Sequence, residues 1–126
     1  MEIDHFTKLE AWRLSHGLVL AIYQVTKLFP KEERFGIIDQ LRRAVSSITA
    51  NIAEGWGRYH FADKIRFYHQ ARGSLAEVQN FLILARDLDY LKEKEFTSLY
   101  EQSNQCLRVL SGLIRSAEKQ IVIGKK

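Results

Sequence analysis

The stretch SSITANIAEGWGRYH, residues 46–60, has isoleucines four positions apart at 48 and 52, followed by a tryptophan between two glycines at 55–57. A spacing of four puts both isoleucines on one face of an α-helix. On the neighbouring flank, helical geometry collects small or polar side chains, namely Gln40, Ala44, Ser47, Asn51 and Glu54. Because small side chains let another backbone approach closely, this stretch predicts a helix that packs within a helical assembly.

Individual residues of the stretch have expected structural roles. Asn51 is expected to hydrogen-bond across the helix contact, because an unpaired buried amide is costly. Glu54 is expected to pair with a basic residue of the following helix, either Arg72 or Lys64. Trp56, between its two glycines, is expected to fold back over the end of the bundle. A role in helix packing therefore explains this stretch better than a role in catalysis or ligand binding does.

The apolar period is helical along almost the whole chain. Pro30 ends the first segment, and the polar link PKEER follows it at residues 30–34. Gly55 is expected just after the end of the second helix, where glycine easily adopts a positive φ. The pattern predicts an all-α, antiparallel up-down four-helix bundle, with helices at about residues 7–29, 35–54, 61–90 and 93–120.

The third and fourth helices carry a second apolar row beside the main stripe. Its members recur every seven residues, and we call them the second seam: Phe67, Ser74, Phe81 and Leu88, then Tyr100, Leu107, Ile114 and Ile121. Large exposed apolar patches are uncommon on soluble monomers. The second seam therefore either widens the core face or is buried against another subunit, and its spacing does not fix the number of subunits.

Length and composition limit the classes of protein. The 126 residues fit one domain, residues 1–126, and no apolar run approaches the length of a membrane span. The single cysteine, Cys106, permits no internal disulfide, so a reduced cytoplasmic setting is expected. The net charge of +4 makes RNA or DNA a candidate partner.

The sequence offers little support for an enzyme or a cofactor site. Only His5 has a glutamate three residues before it, Glu2, and this pair precedes the first predicted helix, whereas the Glu-x-x-His pairs of bundle metal sites lie on helices. Cys106 lies on an apolar stripe, where a buried thiol is commoner than a nucleophile. No glycine-rich loop between a strand and a helix is present to hold a nucleotide. We therefore expect no catalytic residue, no metal and no cofactor.

Basic and aromatic side chains around the second and third helices form the candidate binding set. The cations are Arg42, Arg43, Arg58, Lys64, Arg66 and Arg72. Trp56 and Tyr59 lie near Arg58 and could stack on unpaired bases. Such a set would bind RNA or DNA through phosphates with little sequence preference. The alternative is that these arginines pair with Glu54, Asp63, Glu77 or another subunit's acids, with Arg42 and Arg72 the strongest candidates for structural roles.

Nearly the whole chain resembles the four-helix-bundle family of 23S rRNA intervening-sequence proteins, also called the S23 ribosomal protein family. The resemblance rests on QLRRAVSSITANIAEGWGR and FYHQARGSLAEVQNFLILARDLDYL, most specifically on Gln-Leu-Arg-Arg-Ala at 40–44, Asn-Ile-Ala-Glu-Gly at 51–55 and Gly-Ser-Leu-x-Glu at 73–77. It marks Asn51, Glu54, Gly55 and Gly73 as residues of the structural motif.

The resemblance implies more about shape than about activity. Family members form bundles that assemble into homopentameric rings, so a homopentamer is expected and the second seam becomes a subunit interface. The accessory protein of diversity-generating retroelements has a similar fold and binds nucleic acid as a basic pentamer. Two functions remain from the sequence: a ring that binds RNA or DNA, and a scaffold or accessory subunit that binds another protein without contacting nucleic acid.

Overall fold

The computed structural model describes residues 2–124, which form four α-helices, two short 3-10 helices and no strand. Each α-helix follows one of the apolar stripes of the sequence. The 3-10 helices, Phe6–Lys8 and Lys31–Glu33, lie in the segments before the first and second α-helices. The α-helices are α1, Glu10–Thr26; α2, Ile37–Trp56; α3, Phe61–Asp87; and α4, Glu93–Val122.

Each helix packs against its neighbours in the chain, and α1 also packs against α4, so the four helices close on themselves. Short links allow consecutive helices to contact each other along their lengths only if they run in opposite directions. This arrangement is that of an up-down four-helix bundle. One end carries the α1–α2 and α3–α4 links, and the other carries the α2–α3 turn with the start of α1 and the end of α4.

The core lies on the axis of the bundle and takes residues from every helix. Leu18, Leu41, Leu82 and Leu110, one from each helix, have no exposed surface. All four belong to the stripes that the helical period predicts. Burying a leucine side chain stabilises the fold by about 2 kcal/mol relative to leaving it exposed, so these stripes supply the main driving force for folding.

The first helix is shorter than the predicted 7–29. Leu9 has extended backbone angles, which separate the 3-10 helix at 6–8 from α1, and the helix ends at Thr26. Phe29 is nevertheless buried, although it lies beyond the helix. The apolar spacing of α1 therefore extends to Phe29, because the turn before Pro30 places this side chain in the core.

The expected position of Gly55 after the end of the second helix is wrong. The helix continues through Trp56, and Gly57 is the capping residue. A Cβ at Gly55 would lie 2.7 Å from Cε1 of Tyr68 and 3.1 Å from the carbonyl oxygen of Lys64. Gly55 is therefore needed for the close approach of α3, because any side chain there would meet this ring and backbone.

A tight turn connects α3 to α4. Asp89 has a φ of 62°, in the left-handed region, and the amide of Tyr90 donates to the carbonyl oxygen of Ala85 over 2.9 Å. These features form a helix-ending motif that satisfies the last carbonyl groups of α3. The Tyr90 hydroxyl also donates to Oε2 of Glu33 over 2.8 Å, which joins this turn to the α1–α2 link.

The second seam lies partly inside the bundle. Ile114 is only 3% exposed and belongs to the core, so its assignment to a separate row is wrong. Leu88 and Ile121, at the two ends of the seam, are exposed. Phe67, Phe81, Tyr100 and Leu107 are half-buried. The expectation that the seam widens the core face is therefore confirmed in part, and its burial against another subunit stays a prediction.

Candidate nucleic-acid interface

Two arginines meet one aromatic ring at the α2–α3 turn. The guanidinium carbon of Arg58 lies 4.6 Å from the centroid of Phe67, and that of Arg66 lies 4.7 Å from it. The ring attracts each cation through its quadrupole. Both guanidinium groups are thereby positioned against Phe67, near the start of α3.

Both arginines also have acidic neighbours, at long distances. Arg58 pairs with Glu54 at 3.5 Å and Arg66 with Asp63 at 3.9 Å, and all four side chains are substantially exposed. Exposed pairs of this kind stabilise a protein by about 0–1 kcal/mol. The expected pairing with nearby acids therefore exists, and it is weak enough for a phosphate oxygen to replace it.

Lys64 has a structural role at the end of α2. Its Nζ donates to the carbonyl oxygen of Trp56 over 2.7 Å, and partial burial lowers the pKa of the lysine. A cation at a helix C-terminus stabilises the unpaired carbonyl groups there. Lys64 is therefore committed to capping α2, and the expected pair between Lys64 and Glu54 is wrong.

The two candidate stacking residues differ in accessibility. Tyr59 is 86% exposed and lies edge-on to His60, at a centroid distance of 5.0 Å. Trp56 is half-buried, and its ring lies 6.2 Å from that of His5 in the N-terminal segment. Tyr59 is therefore the more accessible of the two rings, and the folding of Trp56 over the end of the bundle stays a prediction.

Arg42 and Arg43 lie far from the turn, near the start of α2. The Arg42 Nε donates to Oγ1 of Thr26 over 2.9 Å, and its Nη2 donates to the carbonyl oxygen of Tyr23 over 3.3 Å. Arg43 is mostly exposed and pairs with Asp39 at 2.9 Å. Arg42 thus joins α2 to α1, as expected of a structural arginine.

Arg72 is exposed on α3 and lies close to a histidine of its own helix. Its Nη2 is 2.9 Å from Nδ1 of His69. Arg72 follows Arg66 by six positions, which is more than one and a half turns of the helix, so the two arginines have different directions. The expected pair between Arg72 and Glu54 is also wrong, because the carboxylate of Glu54 contacts Arg58 instead.

The structure therefore divides the candidate residues. We call Arg58, Tyr59, Arg66 and Phe67 the turn cluster. Arg42 and Arg43 are about 24 Å away along the axis of α2. A single short segment of nucleic acid on the turn cluster would not reach them within one chain.

Of the motif residues, Gly55 packs α2 against α3, whereas Asn51 and Gly73 do not bridge the two helices. The Asn51 Nδ2 donates to the carbonyl oxygen and to Oγ of Ser47, over 2.9 and 3.0 Å, so its expected bond across the helix contact is wrong. The bond that crosses is made by Ser74, whose Oγ donates to Oγ of Ser47 over 3.0 Å. Gly73 is exposed, and a Cβ there would meet nothing within 4 Å.

The α1–α2 link carries a group of cations that is not part of the predicted binding set. Lys27, Lys31 and Arg34 join Arg42 around a surface cleft, which we call the basic cleft. The sequence predicts only a polar link here, because the positions of its cations follow neither a helical nor a strand period. Four cations within residues 27–42 were the available signal.

Cys106 is 1% exposed, as expected for a thiol on an apolar stripe. Burial raises the pKa of the thiol, although the nearby Ser15 side chain lowers it in part. The group therefore stays protonated at neutral pH, when a nucleophile would need the thiolate. Within residues 2–124, no three His, Cys, Asp or Glu side chains lie together in a way that could hold a metal ion.

Membrane insertion has no support from the helices. None of those in residues 2–124 combines the length and apolar character that crossing a bilayer requires.

Comparisons with known proteins address the fold. The model of the 23S rRNA-intervening sequence protein family matches residues 7–112. A solved structure from Bacteroides thetaiotaomicron, a protein of unknown function from the S23 ribosomal protein family, superposes with a TM-score of 0.77. It is 24% identical, and the match covers 82% of this chain and 97% of that one. The search of curated proteins gave no match.

Proposed function

Since the chain belongs to the 23S rRNA-intervening sequence protein family, we propose that it is a non-enzymatic protein that binds RNA or DNA in the cytoplasm. The turn cluster contacts phosphates through Arg58 and Arg66, and Tyr59 stacks on an unpaired base. Contacts of this kind depend little on base sequence.

The observation that carries this proposal is that Arg58 and Arg66 both lie against the aromatic ring of Phe67. Phe67 holds the guanidinium groups of Arg58 and Arg66 at 4.6 and 4.7 Å from its centroid, so two phosphate-binding groups are positioned at this end of the bundle. Restricting the side chains before binding reduces the entropy lost on binding. The adjacent Tyr59 is 86% exposed, so its ring is available beside the two cations.

Self-association is part of the proposal. The exposed ends of the second seam, Leu88 at 45% and Ile121 at 42%, would be covered by a second copy of the chain. The resemblance to the family supports a homopentameric ring. A ring repeats the turn cluster around its circumference, and several weak sites on one strand give a much higher combined affinity.

Fluorescence anisotropy with labelled single-stranded and hairpin RNA, repeated across a salt series, tests the proposal. Arg58→Gln combined with Arg66→Gln should weaken binding about tenfold at low salt and flatten the salt dependence, because each lost phosphate contact removes about 0.7 from the slope on single strands. Lys64 is left unchanged, since it caps α2.

The matched control is Arg115→Gln with Lys119→Gln, which makes the same change in net charge on exposed positions of α4. It should retain most of the affinity. Equal losses in the two double variants would show that only net charge matters and would reject the turn cluster. Absence of binding by the unaltered protein at low salt would reject nucleic-acid binding itself.

A protein-interaction scaffold is the second candidate, and exposed apolar side chains favour it. Leu20 is 55% exposed and Leu28 is 80% exposed, on or just after α1. A partner bound there would be held by apolar burial, with little dependence on salt. Replacing both leucines by serine would abolish such binding and leave RNA affinity unchanged.

A further inference from the structure

The basic cleft lies at the end of the bundle that is opposite the turn cluster. It encloses about 420 Å³, which is within the usual range for small-molecule sites. The segment after α1 forms one wall and the start of α2 forms the other. Its lining residues are Thr26, Lys27, Phe29, Lys31, Arg34, Ile38 and Arg42.

The charge of the cleft has a single sign. Four of its lining residues are cations and none is acidic. In the part of the chain that the structure describes, none of these four makes a salt bridge, whereas the arginines of the turn cluster both do. Positive charge that is not neutralised by neighbouring carboxylates attracts a multiply charged anion.

One of these cations is already fixed in place. Arg42 donates from Nε to Thr26 and from Nη2 to Tyr23, and its guanidinium carbon lies 4.7 Å from the centroid of the Tyr23 ring. A guanidinium group has five N–H donors, so three remain after these two bonds. The group can therefore bind phosphate oxygens without losing the contacts that position it.

The floor of the cleft is apolar. Phe29 is 5% exposed and Ile38 is half-buried, and both contribute to the lining. Inorganic phosphate has nothing to place on such a surface, whereas a nucleotide has a flat base that loses apolar surface to it. An apolar floor with a cationic rim thus matches a ligand that has a planar body and a charged tail.

We propose that the basic cleft binds a nucleoside di- or triphosphate, with the base against Phe29 and Ile38 and the phosphates between Lys31, Arg34 and Arg42. This site is independent of the proposed nucleic-acid binding, because it uses other residues about 24 Å from the turn cluster. No bond of the ligand is broken there.

Isothermal titration calorimetry at low salt, with ATP, GTP and inorganic tripolyphosphate as probes, tests this inference. ATP and GTP should bind with similar affinities in the micromolar range, because the floor offers apolar contact and no pattern of base recognition. Tripolyphosphate should bind about tenfold more weakly, since it lacks the base.

Lys31→Glu with Arg34→Glu should weaken ATP binding about a hundredfold, through the loss of two charge-assisted contacts and the added repulsion. Both residues are exposed, so folding should be preserved, which circular dichroism checks. Arg58→Gln with Arg66→Gln is the control and should change the affinity for ATP less than twofold.

Three results would overturn the inference. They are absence of ATP binding to the unaltered protein, equal affinities for ATP and tripolyphosphate, and equal effects of the cleft and turn variants. Binding of an acidic peptide in the cleft while ATP fails to bind would likewise reject a nucleotide site and assign the cleft to a protein partner.

Discussion

The two flanks of α2 meet their neighbours in different ways. Toward α3, small residues bring the helices together: Ser47 accepts a hydrogen bond from Ser74, and Gly55 leaves no room for a Cβ beside Tyr68. Toward α1, the long side chain of Arg42 spans the gap to Thr26, and the basic cleft opens beside it.

The difference shows how one helix can provide both rigidity and a cavity. The α3 flank is in close contact with α3, so substitutions there should change the stability of the fold. The α1 flank is bridged by a polar side chain rather than filled, which leaves surface for a ligand. Side-chain size along α2 therefore separates the part of the bundle that holds the fold from the part that can be occupied.

The largest test of this comparison is Gly55→Ala, which should destabilise the protein by about 3 kcal/mol, because the new methyl group overlaps the Tyr68 ring and the Lys64 carbonyl. Gly73→Ala is the matched control. Its Cβ meets nothing within 4 Å, so it should stabilise the helix by roughly 0.5–1 kcal/mol. Urea unfolding measures both, and effects of the same sign would contradict the tight contact at Gly55.

A smaller effect should appear at alkaline pH. Burial raises the pKa of Tyr68 from 10.0 to about 12, so the folded state favours the neutral phenol. The stability from this preference is complete below pH 10 and is lost as the pH rises toward 12, with a total of about 3 kcal/mol.

Tyr68→Phe should remove that loss while leaving stability at pH 8 nearly unchanged. Thermal melts at pH 8 and pH 11 would measure it, with Tyr59→Phe at an exposed position as the control. If the difference between Tyr68→Phe and the unaltered protein is the same at both pH values, the tight packing of this phenol against α2 is not what the structure indicates.

The smallest effect is expected on the α1 flank. Arg42→Met keeps the length of the side chain but removes its bonds to Thr26 and Tyr23, and should cost about 1 kcal/mol. Arg43→Met, at the next position, removes only an exposed pair with Asp39 and should change stability by less than about 0.5 kcal/mol. Chemical denaturation compares them, and a larger loss at Arg43 would refute the bridging role of Arg42.

Much of the fold could be predicted because apolar spacing is a local property. The second helix was expected at 35–54 and lies at 37–56, and Leu41 and Ile48 are fully buried as their positions in the stripe require. The end of this helix was misjudged, since a glycine can serve either a turn or a close contact. Only the position of Tyr68 on another helix decides between them.

The candidate site was less predictable, because the state of a charged side chain depends on what surrounds it in three dimensions. The sequence marks Arg42 and Arg72 as the candidates for structural roles among the six cations, and Arg42 does bridge two helices, but the helix cap made by Lys64 is not predicted. Phe67 contacts Arg58 in the α2–α3 turn as well as Arg66 on its own helix. The spacing of residues along one helix does not predict a contact with a residue outside that helix.

The contact between α1 and α4 has a consequence for engineering the chain. Because the helices alternate in direction and the last packs beside the first, Glu10 and Val122 lie at the same end of the bundle. A short flexible linker between these points, with new termini opened in residues 57–60, should give a circular permutant that keeps all four helices and the Tyr90–Glu33 bond. Such a permutant would present the two halves of the turn cluster on separate chain ends.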